Sequence, residues 1–373
     1  MKTFSIVCIF VILLVSFLYP GVRNPDKPLK GEWDFEQKQL WMIDEVGGDV
    51  FAKPYSLLTA DNGTVYLYDV KNLKYFILSK EGKFVKSFGP KGEGPGEIQR
   101  FRSAYLVNDK LIVVDLNEID YFTTDGKYIK SVKNEWNQKK PNYFLNEDEF
   151  IHFPLLRAND PKLKGKIYRH NLKTNDSKVL AEFPIFKGGF AEDNESRVGV
   201  VIMGLSPVIV AGYDSDRLYY GINNSFEINV VDYNGKKSDS FSVERETRKL
   251  SKKAKREWFA KNPAPGPMPD GLLKKIIKSL PDELTHFTRI EVYNKLIYIF
   301  TAYLNRQPTK QQIDIFTRDG KYQYRAFINT PEGYNIVSGP IPVLTLKNDN
   351  LYIALEDEDG EVALARYEIT LPR

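Results

Sequence analysis

The sequence predicts an all-β fold: a six-bladed β-propeller closed by an N-terminal strand, with a helical insertion between blades four and five. Three observations carry this. A loop rich in glycine and proline, residues 87–101, separates two alternating runs at 83–88 and 103–107, and no helix passes through such a loop. Tight-turn signals recur at Glu81-Gly82-Lys83, Asp125-Gly126-Lys127, Asn234-Gly235-Lys236 and Asp319-Gly320-Lys321, the first two about 44 residues apart, a blade-sized period. The last unit lacks an outer strand, whereas a lone strand-like run stands near the N-terminus.

Each unit is then read in order. Units one and two, at 55–88 and 104–132, show four short strands each. Unit three, at 143–183, is less regular. Units four and five occupy 208–243 and 289–328. Unit six, at 342–369, holds three strands, and residues 41–47 are expected to supply its fourth. Closing the ring in this way removes edges that would otherwise pair with other chains. The recurring turns serve structure, because tight hairpins need the positive φ that Gly and Asn tolerate.

Composition sets the outer bounds. The 373 residues are 42% hydrophobic, with 22 Tyr and 23 Phe, enough for a large strand-rich core. A net charge of +4 implies neither nucleic acid nor an anionic membrane as partner. Cys8 is the only cysteine, so thiolate metal sites and disulfides are excluded, and the histidines at 152, 170 and 286 are scattered. No cofactor is expected. Phe4 to Tyr19 is an apolar run behind Lys2, short for a spanning helix, and reads as a secretory signal or uncleaved anchor over residues 1–21. Residues 22–32, with Pro25 and Pro28, read as a flexible linker to a propeller at 33–373. The protein is therefore expected outside the cytoplasm, either free or tethered.

The insertion, residues 244–284, breaks strand periodicity. Leu250, Ala254 and Trp258 share one helical face, and Leu272, Leu273, Ile276, Ile277 and Leu280 form a second stripe beyond a proline-rich break. The first helix is expected to present Lys252, Lys253, Lys255 and Arg256 to solvent, a candidate partner-binding face.

The 87–101 loop and its flanks resemble the repeat of NHL-type β-propellers and related six-bladed bacterial propellers. Phe88-Gly89, Gly92, Gly94, Gly96 and Ile98 match its first part, and Asp115, Asn117, Ile119 and Asp125-Gly126-Lys127 the rest. Glu118 stands where the family carries a basic residue. The resemblance implies the propeller, and places on one face the loops that join blades and those between second and third strands. Arg100, Arg102, Arg157, Asn223, Asn224 and Arg306 fall on that face as ligand candidates, the arginines being suited to bidentate contact with carboxylate or sulfate. The expected role is binding of a protein, peptide or glycan. The alternative, a calcium-assisted hydrolase or lyase, would need Asp69, Asp115, Asn223 and Glu356 to converge. The elbow, metalloprotease and phosphate-loop motifs are absent.

Overall fold

The structure is a computed structural model that describes residues 21–116, 118–133, 141–153, 164–185, 189–192, 197–200, 205–261, 270–303, 308–337 and 342–373. The apolar run before residue 21 lies outside the described residues. Six antiparallel sheets follow one another. Blade one consists of Pro54–Thr59, Val65–Asp69, Lys74–Leu78 and Phe84–Phe88. Blade two runs from Ser103–Val107 to Tyr128–Lys133, and blade three from Tyr143–Asn146 to Ser177–Pro184. Blade four spans Ile209–Tyr213 to Lys237–Glu244, and blade five Phe287–Tyr293 to Tyr322–Asn329. In blade six the strands Leu344–Lys347, Asn350–Glu356 and Val362–Glu368 are completed by Lys38–Ile43.

The middle strands are buried on both faces because each blade is sandwiched between two others. They therefore read as continuous apolar runs, as in Leu296–Thr301, not as alternation. Among the described residues, one apolar cluster joins each consecutive pair of blades, and the core is thus a ring of inter-blade contacts. The recurring turns dock each blade on its predecessor. Gly126 has φ +77° and a Cβ there would lie 2.7 Å from the Phe88 ring; at Gly320, with φ +82°, it would lie 2.5 Å from Phe241. Only glycine meets both demands.

Two expectations at the N-terminus change. The strand that completes blade six is Lys38–Ile43, earlier than 41–47, because Glu45–Val46 and Asp49–Val50 instead form their own hairpin around Gly47 and Gly48. Residues 22–32 are not a linker. Gly21–Pro25 pairs parallel with Lys237–Glu244 as a fifth strand of blade four, and Glu32–Trp33 does the same on blade five. Proline is tolerated there because an edge strand has one row of amides to spare. Side chains fasten this strap. Asn24 donates to the carbonyls of Ser242 and Gly320, at 3.0 and 2.9 Å, and accepts from the Tyr322 amide at 2.9 Å. Phe35 is buried between blades five and six, and its carbonyl accepts the Thr370 amide.

The insertion contains two helices, α1 (Lys252–Lys261) and α2 (Asp270–Ser279). Its two ends are zipped together by a bridge between Lys249 and Glu283. A hairpin absent from the sequence reading, Gly189–Glu192 with Arg197–Val200, lies against α2. Phe259, Leu272, Ile276, Leu280 and Leu284 close on Leu205 to give this cap its own small core.

Candidate ligand-binding face

The loops joining the blades and the turns after each second strand share one face. On it stand Asp69, Asp115 and Asn223, three of the four residues considered as calcium ligands, and their side chains are already engaged. Asp69 is fully buried at the end of its strand and accepts four backbone amides, from Ala52, Lys53, Lys71 and Asn72, at 2.8–3.0 Å. Asp115 repeats the device one blade on, accepting from Gln99, Arg100 and Leu116 at 2.5–2.6 Å. In blade four the same place is held by Asn223, whose amide accepts from Val208 N and donates to Phe287 O, both at 2.9 Å. These side chains fasten the entry loops of blades one, two and four to the second strand of the same blade. Asn223 is therefore a structural latch instead of a ligand residue, and the donor set does not fit a shared cation. Among the described residues no group of three His, Cys, Asp or Glu is placed to hold a metal.

Besides exposed acids such as Glu93 and Glu118, this face carries a group of aromatic and basic side chains. The inner strand of blade one carries a bulge between Pro54 and Ser56 that leaves Tyr55 without a partner across the ladder. A bulge re-aims the side chain it carries, and Tyr55 is 38% exposed. It meets Phe101 edge-on at 5.9 Å, and Phe101 stacks on Tyr68 at 4.1 Å. Phe101 stands between the two arginines of the loop, so fixing its ring fixes their backbone. Arg100 is exposed, with its amide held by Asp115. Arg102 is partly sunk; burial, then the nearby Arg100, lowers its guanidinium pKa, while Tyr55 and Asp115 oppose that. The Tyr68 hydroxyl is pushed up to about 12 by burial, then by Asp115 and Asp69. It stays neutral and can donate.

The other expected residues are dispersed. Asn224 is exposed on the blade-four turn, separated from the arginine pair by blade three. Arg157 and Arg306 lie outside the described residues. In the cap, Lys252, Lys253 and Arg256 are exposed, but Lys255 is not. Its ammonium is buried and donates to the Leu280 carbonyl and to Asp282, both at 2.7 Å. The inward face of the helix takes in Lys255 and Phe259, and Trp258 and Leu250, the latter just before the helix, pack against the same small core. A cleft of about 430 Å³ opens at the rim between blades three and four, lined by Leu180, Phe183, Tyr220 and Lys237 among others, away from the channel mouth.

A family model described as 6-bladed beta-propeller (DUF5128) matches residues 49–252, more than half of the chain. The chain belongs to this family. Among solved structures, a member of the DUF4221 family from Bacteroides vulgatus aligns at 12% identity and TM-score 0.57, covering 90% of this chain and 99% of its own. A presumptive exported protein of Bacteroides fragilis aligns at 12% identity and TM-score 0.54, covering 95% and 100%. These likenesses show the fold alone. A gluconolactonase from Xanthomonas campestris, at 14% identity, TM-score 0.44 and 89% of each chain, carries no argument about activity. No curated protein matches the chain.

Within the 6-bladed beta-propeller family match lie blades one to four, and with them Tyr55, Arg100 and Arg102. The likeness to NHL repeats remains one of loop and turn residues. Sequence reasoning found the two arginines but missed Tyr55 and Phe101, because a bulge leaves no period to read. Among the described residues no helix is long and apolar enough to cross a membrane.

Proposed function

We propose that this propeller is an extracytoplasmic binding module that takes a carboxylate-bearing peptide or glycan on the face around Tyr55, Arg100, Phe101 and Arg102. One observation carries the reading: an exposed tyrosine, aimed by a bulge and backed by Phe101, stands with two arginines beside Asp69 and Asp115, whose carboxylates are taken by backbone amides. A ring of this kind contributes apolar contact area, and a guanidinium recognises a carboxylate with directed hydrogen bonds. The apolar run before residue 21 supports export, as does the exported character given to the B. fragilis protein of the same fold. Nucleic acid is not the expected partner. The enzyme alternative loses its support with the acids that serve as latches.

The test is binding of the full chain to an array of acidic and neutral oligosaccharides and peptides. Acidic members are expected to bind, with Tyr55→Ala and Arg100→Gln each weakening them about tenfold or more. Binding that survives both substitutions with the fold intact would overturn the assignment of this face.

A further inference from the structure

The cap joins the propeller through a neck between blades four and five, and a histidine stands in that neck. An outgoing stem, 245–250, and a returning stem, 282–285, run side by side. They are zipped by Leu250 N on the Asp282 carbonyl at 2.7 Å and by Leu284 N on the Arg248 carbonyl at 2.9 Å. Two residues on, the backbone of His286 ties the two blades together. Its amide donates to the Asn223 carbonyl at 2.7 Å, and its carbonyl accepts the Ala302 amide at 3.0 Å. His286 is 8% exposed, and its ring lies edge-on to Phe226 with 6.1 Å between centroids. The Arg245 guanidinium covers the same Phe226 ring at 5.0 Å. Arg248 donates to the Ala302 carbonyl, next to the bond that Ala302 makes with His286. The outgoing stem thus carries two guanidiniums to the place where His286 is buried.

Among the described residues, the other charges around this ring lie on the strap, on blade five and on the stems. Asp26 of the strap is exposed and receives Arg245 at 2.5 Å and Arg325 at 3.0 Å. Asp314 of blade five is fully buried and receives Arg245 at 2.6 Å. Glu283 of the returning stem is exposed and faces Lys249 across the zip. Burial first, then Arg245 and Arg248, hold the imidazole below its ordinary value, against Glu283 and Asp26. A proton here adds positive charge to a space largely shut from water. The blades are fixed by packed aromatics, Phe226 on Phe287 among them, whereas the outgoing stem lies at the surface. Swinging that stem outward is the least costly relief.

From this arrangement we infer that His286 is a proton-sensitive pin in the neck of the cap. Neutral, it keeps the stems seated; protonated in mild acid, it releases them while the blades stay folded. The open neck takes a proton that the closed neck refuses. The closed form is therefore favoured near pH 7 and loses ground as pH falls below about 6.5. The pin lies apart from the Tyr55 face and owes nothing to it.

Hydrogen exchange of the full chain at about pH 7.5 and about pH 5, corrected for the intrinsic pH dependence of exchange, tests this. Peptides over 244–251 and 281–288 report the neck, and Leu296–Thr301 reports the blade. Protection of the neck is expected to fall at least about threefold more than that of the blade strand, one imidazole accounting for at most about 30-fold. His286→Gln should abolish this difference and Arg248→Gln should reduce it, whereas Glu283→Gln should keep it. Arg248 and Glu283 are exposed, so their substitutions keep the test decisive if the His286 variant folds poorly. A neck that stays within about threefold of the blade strand, a folded His286→Gln chain that keeps the response, or a response undiminished by Arg248→Gln would each overturn the pin. Loss of the response in Glu283→Gln would overturn it in favour of a titrating carboxylate. Array binding at Tyr55 is independent of all these outcomes.

Discussion

Blades four to six and blades one to three are built from the same four-strand unit but finished differently. Blades four and five carry a fifth, parallel strand from the strap, and blade six takes its outer strand from the same N-terminal segment. Blades one to three end, among the described residues, on bare outer strands. There Phe84, Val85, Ile129 and Val179 are exposed, flanked by Lys83, Lys86, Lys130 and Lys178. Lysine on an open edge discourages pairing with another chain. The outer edges of one half of the ring are thus covered by long-range pairing and those of the other are guarded by charge. Two acids buried inside the strands, one in each half, are also met differently. Asp314, in blade five, is fully buried but receives Arg245 at 2.6 Å and the Tyr322 hydroxyl at 2.5 Å, with Arg325 at 3.5 Å. Asp120, in blade two, is nearly as buried and among the described residues receives the Ser131 hydroxyl alone, at 2.5 Å.

The comparison breaks most decisively at the strap. A chain beginning at residue 36 should lose about 5 kcal/mol or more relative to one beginning at residue 21, since Phe35 alone accounts for about 3–5 kcal/mol as a buried aromatic and the bonds of Asn24 are lost as well. Urea unfolding of the two chains measures this, and equal midpoints would mean the strap is ornamental. Asp120 comes next. Burial, against the Ser131 bond and with Glu118 and Asp115 adding to it, raises its carboxyl to about 6. The folded state then holds a proton that the unfolded state releases, so stability falls as pH rises from about 4 to about 6. Asp120→Asn should flatten that slope and gain roughly 2–3 kcal/mol at pH 7; melting the pair across this range checks it.

Asn24→Ala should cost about 1–3 kcal/mol, because it strands a buried amide and two carbonyls that tie blade four to blade five. In the cap, Lys255→Met should cost about 1–2 kcal/mol, felt as faster hydrogen exchange in α1 and α2 with the blades unaffected, whereas Lys252→Gln should leave exchange unchanged. Smallest of all, Val85→Gln and Ile129→Gln on the bare edges should shift stability within about 0.5 kcal/mol. A larger loss there would mean these edges are covered after all.

Much of this architecture can be read from the chain. The buried runs such as Leu111 to Val114 and the turns at Gly126 and Gly320 announce strand and hairpin locally, and their recurrence gives the ring. The strap escapes because its partners lie 218 and 296 residues away from Asn24, and nothing near Pro25 or Pro28 distinguishes an edge strand from a linker. Lys255 is misread for a smaller reason: Leu250 and Trp258 of the predicted stripe do pack on the cap core, but the inward face is wide enough to take in Lys255 and Phe259 as well, and the lysine finds Leu280 and Asp282 there. On the binding face, Arg100 and Arg102 are legible as charges on a loop. Whether Asp69, Asp115 and Asn223 bind a ligand or fasten a backbone depends on which amides they meet, and no spacing reveals that.

The strap also imposes an order of events. Among the described residues it is made first, yet Ser242, Gly320 and Tyr322, the groups that Asn24 bonds, are made roughly 220 to 300 residues later. Phe35 has no burial until strands of blades five and six both exist. Nascent blades one to three find their local partners as they emerge, while the strap waits, extended and partly apolar, for the far end of the chain. Contacts this distant in sequence are slow to form, and such a waiting segment is open to capture by other chains. The first of the described segments to appear is therefore the one whose docking completes the fold.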